Sequence, residues 1–273
     1  MTAPAPLTDR MALIQHRTRA AAKPALFLHE AGIEEVQDRL SMVNKSFTAP
    51  VIVTGWPDPW AKAFPEAPII ADDETLALEP ASHDLVIHAL ALHWANDPVG
   101  QLIQMRRALR PDGLMLTVLL GGTTLNELRT ALAQAETEVT GGLSPRVAPM
   151  GELRDMGGLL QRAGFALPVA DSVALRASYA DIHALMHDLR AMGETNAMTA
   201  RPRHMARRTL FTRASELYAA HFADSEARLI ATYDMIVLTG WAPDDSQQKP
   251  LRPGSAGARL AEALGTKETP LED

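Results

Sequence analysis

The linker between the first two strand-like segments is the strongest constraint on this chain. Residues 49–54 (Ala-Pro-Val-Ile-Val-Thr) are typical of a buried strand, and the next such segment begins at Pro68. Only the thirteen residues 55–67 separate the two segments. A crossover between parallel strands needs at least ~10–12 residues, and a full strand-helix-strand unit needs ~30. The sequence therefore predicts one tight crossover here, with no room for a further strand and its helices.

The loop that opens this linker has an unusual composition. Where α/β domains hold a nucleotide, glycines after the first strand let backbone N–H groups approach the ligand. Here Gly55 is followed by Trp56, Pro57, Asp58 and Pro59. The prolines remove N–H donors, and the tryptophan side chain fills space beside the backbone. We therefore expect a loop that is poorly suited to holding a nucleotide.

The middle of the chain alternates strand and helix patterns. These are predicted as strands at 83–90 and 114–120 and as helices at 98–109, 125–135 and 151–163. Asn96 or Asp97 can cap the first of these helices, Pro111-Asp112-Gly113 can stop it, and Thr123 or Thr124 can cap the second. Alternation of this kind is typical of right-handed crossovers and a parallel sheet.

The last part of the chain predicts a change of strand direction. Residues 165–173 and 233–241 have strand patterns, with the mostly helical residues 179–222 between them, so we expect an antiparallel pair. The fold class is therefore α/β, with three layers and a mostly parallel sheet that is truncated at its second strand. A helical insertion at about 175–225 precedes the last strand.

The N-terminal region is predicted to be helical and basic. Residues 8–45 read as two helices, with Thr8 or Asp9 as the first cap and Pro24 in the first turn of the second helix. Four basic residues lie here: Arg10, Arg17, Arg19 and Lys23. They form either a solvated helix face or a contact with an anion or acidic partner. We expect N-terminal helices at 1–48, a domain at 49–245 and a flexible tail at 246–273.

Composition excludes several classes of function. The 273 residues carry a net charge of −7, which argues against nucleic acid as a partner. There is no cysteine, so thiolate catalysis and cysteine-ligated metals are excluded. No apolar run approaches the ~20 residues of a membrane span, and we expect a cytoplasmic protein.

His183 and His187 are expected to be ordinary solvated or core histidines, and no metal site is predicted.

Several segments resemble class I S-adenosylmethionine-dependent methyltransferases. Residues 83–86 (His-Asp-Leu-Val) and 91–94 (Ala-Leu-His-Trp) are similar to strand four of that superfamily and the loop after it. Residues 109–113 (Leu-Arg-Pro-Asp-Gly) are similar to its turn into strand five. The resemblance implies a Rossmann-like fold with S-adenosylmethionine as cofactor.

A narrower resemblance covers the segments 121–129, 135–138, 141–145 and 192–196. These are similar to the methyltransferase-like complex I assembly factors, a family implied to hydroxylate an arginine on a subunit of respiratory complex I. The malonyl-carrier methyltransferase of biotin synthesis is a more distant relative. The resemblance implies cofactor contacts at Gly55, Asp72, Asp73, His93 and Trp94. It also implies a substrate or partner surface at Gly121, Gly122, Glu136, Gly193, Glu194 and Asn196.

The chain departs from the superfamily pattern in its cofactor half. Only Gly55 remains of the glycine-rich loop, and the acidic residue that ends strand two has no counterpart. His93 and Trp94 could form either a pocket floor or an aromatic lid on the sheet edge. Residues 193–196 could equally be a helix end followed by a new cap. No residue is assigned a catalytic role.

Three hypotheses follow for function. The first is a pseudoenzyme that resembles the assembly factors, binds S-adenosylmethionine weakly or not at all, and acts through a protein partner such as a complex I subunit. The second is an active methyltransferase or protein-arginine hydroxylase with an altered cofactor mode. The third is an unrelated small-molecule binder. The shortened sheet also exposes an edge near residues 68–72, which the N-terminal helices or a second copy in a homodimer could cover.

Overall fold

The computed structural model describes residues 5–248 and Gly265. The helices are α1 (Arg10–Ala20), α2 (Phe27–Met42), α3 (Pro57–Ala63), α4 (Pro98–Ala108), α5 (Asn126–Thr140), α6 (Leu153–Ala163), α7 (Ile182–Ala191) and α8 (Arg208–Phe222), with a 3-10 turn at Leu92–Trp94. The strands are β1 (Pro50–Thr54), β2 (Ile69–Ile70), β3 (His83–Ala89), β4 (Leu109–Gly121), β5 (Ala166–Tyr179) and β6 (Leu229–Trp241). None of the described helices combines the length and apolar character that crossing a membrane requires.

The six strands form one sheet in the order β2-β1-β3-β4-β6-β5. The pairs β1/β2, β1/β3 and β3/β4 are parallel, whereas β4/β6 and β5/β6 are antiparallel. The predicted fold class is therefore confirmed, including the antiparallel pair at the end of the chain. The C-terminal ends of β1, β3 and β4 meet at one edge, where ligands bind in sheets of this kind.

Side chains alternate between two apolar layers along the central strands. Ile52 and Ile87 belong to one core with α2, α5, α7 and α8. Val53 and Val86 belong to the other core with α4 and α6. Because successive strand residues point to opposite faces, the sheet is covered by helices on both sides and the molecule has three layers.

The crossover between β1 and β2 is as short as the sequence predicts. It contains the single helix α3, and β2 has only two residues. Trp60 of α3 is fully buried, and its indole N–H donates to Nδ1 of His29 at 3.0 Å. Since β2 pairs directly with β1, no further strand lies between them. The predicted truncation of the sheet is confirmed.

The structure confirms two predicted helix caps and corrects two others. Asp9 and Asp97 accept hydrogen bonds from the backbone N–H groups of Ala12 and Gly100. Thr124 does not cap α5, because its hydroxyl bonds to the backbone N–H and carbonyl of Asp234. Thr123 does not cap it either, since the N-cap position is taken by Leu125.

Two further boundaries differ from the sequence prediction. Pro24 lies before α2 rather than in its first turn, because the neighbouring Ala25 N–H bonds to the carbonyl of Ala191. Helix α4 ends at Ala108, one residue before its predicted end at 109, because Leu109 already pairs with His83 as the start of β4.

The antiparallel strands β5 and β6 are both longer than predicted. They pair from Ala166 and Trp241 to Tyr179 and Leu229, so the inserted segment is 180–228. Within it, residues 192–207 between α7 and α8 are irregular. Alternation alone did not reveal the extra strand residues, because their pairing partners lie about fifty positions away in the chain.

Contacts group the residues up to Pro243 into one compact unit and those from Asp244 into a second. Helices α1 and α2 belong to the first unit. The predicted tail at 246–273 lies almost entirely outside the described residues, and the three-part division of the chain stays a prediction.

Asp84 should be a local determinant of stability. Its carboxylate accepts hydrogen bonds from the N–H groups of Thr48 and Ala49 and from the Thr48 hydroxyl, at 2.6–2.9 Å, which ties the entry of β1 to β3. Asp84→Ala should lower the free energy of unfolding by about 1–3 kcal/mol in urea titrations. Glu79→Ala is the control, since Glu79 is exposed. An equal effect of both substitutions would contradict this role.

Candidate functional site

The side chain of Arg17 lies against the loop that follows β1. A Cβ atom built on Gly55 would overlap the Arg17 guanidinium, so the open face of this glycine is already filled by the protein itself. Trp56 beside it is also buried, at 7% exposure. The space over Gly55 that the family resemblance assigns to a cofactor therefore holds a side chain from α1.

Asp72 holds Arg17 in this position. Its carboxylate accepts from Nη1 of Arg17 at 2.9 Å and from Nη1 of Arg10 at 3.2 Å. Burial opposes ionisation of Asp72, but the two arginines outweigh it and hold the pKa of this carboxyl below its usual value. The reading of these two arginines as a solvated helix face is wrong. They contact an anion, and that anion is Asp72 of the same chain.

Asp73 has a different environment from its neighbour. It is exposed, and its backbone carbonyl accepts from the Gln101 amide at 3.0 Å. The contact of Arg10 with both the carboxylate and the carbonyl of Asp72 brings α1 to the segment after β2. Helix α1 therefore lies against the segment that follows β2, while cover of the sheet edge by a homodimer stays a prediction.

Three predicted site residues, His93, Trp94 and Glu194, converge. The Glu194 carboxylate oxygen Oε2 accepts from the Trp94 indole N–H at 2.7 Å and lies 3.2 Å from Nε2 of His93. Burial opposes ionisation of Glu194, but His93, Arg17 and Trp94 hold its pKa below the usual value. The result is a buried carboxylate that joins the loop after β3 to the loop after α7.

Two other histidines near this group are neutral by burial. Desolvation lowers the pKa of His29 to about 4 and that of His88 to about 4. Nε2 of His88 lies 2.9 Å from the Gln101 amide oxygen, and its Nδ1 is buried without a hydrogen bond among the described residues. Within residues 5–248, no three histidine or acidic side chains form a cluster that could hold a metal ion.

A cavity of about 390 Å³ opens beside the Glu194 group. Its apolar lining includes Leu128, Leu132, Val147, Met186 and Phe211. Its polar lining includes His16, Arg146, Arg190, Glu194, Asn196, Arg201, His204 and Tyr233. The volume falls within the ~300–1,000 Å³ of typical ligand pockets. The cavity therefore offers both apolar contacts and charged groups to a ligand.

Glu136 and Asn196 shape this cavity by holding its wall. The buried Glu136 carboxylate accepts from the Ser144 N–H and hydroxyl and from Nη2 of Arg146, at 2.6–2.9 Å. Burial opposes ionisation of Glu136, but Arg146 and Ser144 hold its pKa below the usual value. The Asn196 amide donates to the carbonyl of Pro145 at 2.8 Å. Both residues thus fix the loop over 141–147.

The three predicted glycines have packing roles. A Cβ atom on Gly121 or Gly122 would overlap the side chains of Ile236 and Asp234, respectively. Gly193 has a φ of +75°, which favours glycine, and it follows the end of α7. These contacts account for glycine at each position, and a place for the three residues in a partner surface stays a prediction.

Two further residues of the site, Arg17 and Tyr233, were not predicted as site residues from the sequence. Tyr233 lines the cavity, and its hydroxyl lies 3.2 Å from that of Tyr179, which donates to Asp188 at 2.7 Å. Burial raises the pKa of both tyrosines. Arg17 lies on the buried side of α1, and the buried neighbours Leu13 and Ala20 at helical spacing were the available signal.

Comparison with known proteins supports the interpretation of the fold. Residues 57–117 match the family described as "Methyltransferase domain". The structure is similar to the YcgJ protein from Bacillus subtilis, with a TM-score of 0.51 over 79% of this chain and 100% of that chain. Their sequences are 12% identical, so this likeness shows the fold alone.

Curated relatives give a more specific match. The arginine-hydroxylase NDUFAF5 of Dictyostelium discoideum is 39% identical over 71% of this chain and 45% of that protein. The human arginine-hydroxylase NDUFAF5 is 34% identical over 81% of this chain and 64% of that protein. A malonyl-[acyl-carrier protein] O-methyltransferase of Laribacter hongkongensis is 36% identical over 71% of this chain and 63% of that protein. The chain thus spans about half to two thirds of the length of these relatives.

The chain belongs to the class I S-adenosylmethionine-dependent methyltransferase superfamily. Within that superfamily it is similar to the NDUFAF5 arginine hydroxylases, which confirms the branch predicted from the sequence.

The Arg17–Asp72 pair should show strong coupling in a double-mutant cycle. Arg17→Met should lower the free energy of unfolding by about 3–5 kcal/mol, because it removes the closest cation from a buried carboxylate. Asp72→Asn should cost less in the Arg17→Met background than in the parent chain, with a coupling of about 1–3 kcal/mol in urea titrations. Additive effects of the two substitutions would show that the pair does not hold α1 in place.

Glu194 should make stability depend on pH. A carboxyl whose folded-state pKa is lowered stabilises the fold above its unfolded pKa of about 4.3 and loses this contribution as pH falls further. Glu194→Gln should cost roughly 1–3 kcal/mol at pH 7. In thermal unfolding scans, the difference between parent and variant should shrink as pH falls below about 4.3. A difference that is constant with pH would contradict an ionised Glu194.

Proposed function

We propose that this chain is a pseudoenzyme of the NDUFAF5 branch that acts by binding a protein partner and has little or no affinity for S-adenosylmethionine. The observation that carries the proposal is the Arg17 guanidinium over Gly55. Backbone N–H groups beside a glycine can donate to a ligand only when the space next to the glycine Cα is unoccupied. Here that face is filled from within the chain.

The electrostatics of the same region support the proposal. Asp72, one of two acidic residues expected to contact the cofactor, is 5% exposed and ion-paired with Arg17 and Arg10. A ligand that formed a hydrogen bond with the Asp72 carboxylate in place of Arg17 would leave the buried Arg17 guanidinium without its ion-pair partner. Breaking a buried pair in this way costs about 3–5 kcal/mol, which would consume much of the free energy of a micromolar ligand.

The other half of the site favours a binding role. The cavity beside Glu194 is open, has many apolar side chains in its lining, and is held by the loop over 141–147 and the segment 192–196. We propose that a protein partner occupies it. A respiratory complex I subunit is the hypothesis that the family resemblance suggests. A cytoplasmic location also stays a prediction, and the relatives named as mitochondrial do not support it.

A second candidate function is modification of an arginine, as the names of the relatives suggest. Glu194 is the observation that favours it. Its Oε2 is taken by Trp94 and His93, whereas Oε1 makes no hydrogen bond to any residue in the described part of the chain. An ionised carboxylate oxygen at a cavity wall could accept a guanidinium. Mass spectrometry of an arginine-containing peptide after incubation would detect an added oxygen atom or methyl group.

Calorimetric titration with S-adenosylmethionine tests the first proposal. We expect no saturable heat at a ligand concentration of about 100 µM and no rise in melting temperature. A ligand that did bind would raise the melting temperature, because at 100 times its dissociation constant it stabilises the fold by about 2.7 kcal/mol. A dissociation constant of about 10 µM or lower would refute the proposal.

Arg17→Ser is the informative variant for this titration. If the guanidinium is what closes the loop, this variant should bind the cofactor more tightly than the parent chain. Thr18→Ser is the control, since Thr18 is exposed on the same helix. Circular dichroism must first show that both variants are folded. Equal titration curves for the parent and a folded Arg17→Ser would remove Arg17 as the cause.

A further inference from the structure

A second cavity of about 300 Å³ adjoins the first. The two share His16, Arg190 and Thr195 in their linings. The second cavity lies between the C-terminal ends of α1 and α7, and its remaining charged side chains are Arg19 and Lys23. The two cavities together form one concave region with an apolar part and a basic part. We call it the joined cleft.

The basic part of the joined cleft carries cations that the fold does not neutralise. Arg19, Lys23 and Arg190 are exposed, and none of them forms an ion pair with an acidic residue anywhere in 5–248. By contrast, Arg146 and Arg201 of the first cavity are paired with Glu136 and Asp9. A group of unpaired cations is notable in a chain whose net charge is −7.

The apolar part adjoins this basic group. It is bounded by the fixed loop over 141–147, by α5 and by α7, and it encloses about 390 Å³. Helix α1, which carries Arg19, also exposes Met11 at 66% and Ile14 at 45%. Exposed apolar side chains beside a polar rim are typical of protein interaction sites.

From these observations we propose that the joined cleft binds an acidic segment of a protein partner. An apolar side chain of that segment enters the first cavity, and carboxylates beside it lie over Arg19, Lys23 and Arg190. The inference rests on the proposed partner-binding function and names its location and the chemistry of its ligand. A peptide is favoured over a membrane, because the cations line a concave cleft rather than a flat face.

Fluorescence anisotropy with labelled peptides is the test. The probe is a short peptide in which a leucine-phenylalanine pair is flanked by glutamates. One comparison peptide has lysines in place of the glutamates, and another has glycines in place of the apolar pair. We expect the acidic apolar probe to bind at least about tenfold more tightly than either comparison peptide. Its binding should weaken as salt rises from about 0.05 to 0.5 M, because salt screens exposed charges.

Two variants locate the binding. The triple substitution Arg19→Glu, Lys23→Glu and Arg190→Glu should weaken binding of the acidic probe about tenfold or more. Thr195→Trp, at a position shared by the two cavities, should weaken binding without changing the charge. The matched control is Arg154→Glu, Arg162→Glu and Arg176→Glu, which reverses three exposed cations on α6 and β5 and should leave binding unchanged.

The following outcomes would overturn the inference. They are preference for the lysine peptide, equal effects of the two charge reversals, no binding of the acidic probe, or capture of phosphatidylserine vesicles in its place. These results would remove the partner from the cavity beside Glu194, but they leave standing the proposal of a partner-binding pseudoenzyme, since a partner could bind elsewhere. The proposed function fails by a different measurement, namely saturable binding of S-adenosylmethionine by the parent chain.

Discussion

The buried ion pair between Arg17 and Asp72 is the interaction on which the arrangement of the site depends. It joins the first helix to the segment after the shortest strand, across 55 positions of sequence. Because the guanidinium also lies against Gly55, one side chain both closes the loop after β1 and anchors α1. A charged pair in this position is expensive to bury, and it persists because the two charges neutralise each other. Only Nη1 of Arg17 takes part, since its Nε and Nη2 are buried without a hydrogen-bond partner among the described residues.

A second buried carboxylate organises the opposite side of the same edge. Glu194 receives the indole N–H of Trp94 and contacts His93, so the loop after β3 is tied to the segment after α7. The two halves of the site therefore differ in character. Around Gly55 the protein fills its own space, whereas beside Glu194 it leaves a cavity with a fixed wall. This contrast is why the proposed function is binding rather than cofactor chemistry.

Much of the fold was predictable because it follows from local patterns. The apolar strands at the centre of the sheet, the caps at Asp9 and Asp97 and the short crossover after β1 are all encoded within a few neighbouring residues. The contact of Glu194 with His93 and Trp94 was not predicted, because the family resemblance assigned the last two to the cofactor and Glu194 to a partner surface. Spacing did not reveal it either, since Glu194 is about a hundred positions from the other two. Thr124 was predicted wrongly because a distant strand took its hydroxyl.

The sequence by itself determined that little chain separates the first two strands, and hence that the sheet lacks a strand at this edge. Steric reach and the minimum length of a crossover are enough for that conclusion. Only the tertiary structure decided what fills the vacated region. Helical spacing places Arg17 on the same side of α1 as Leu13 and Ala20, but local sequence does not say what its guanidinium contacts. The choice was made by a buried carboxylate 55 positions away, through an attraction that is strong only where water is excluded.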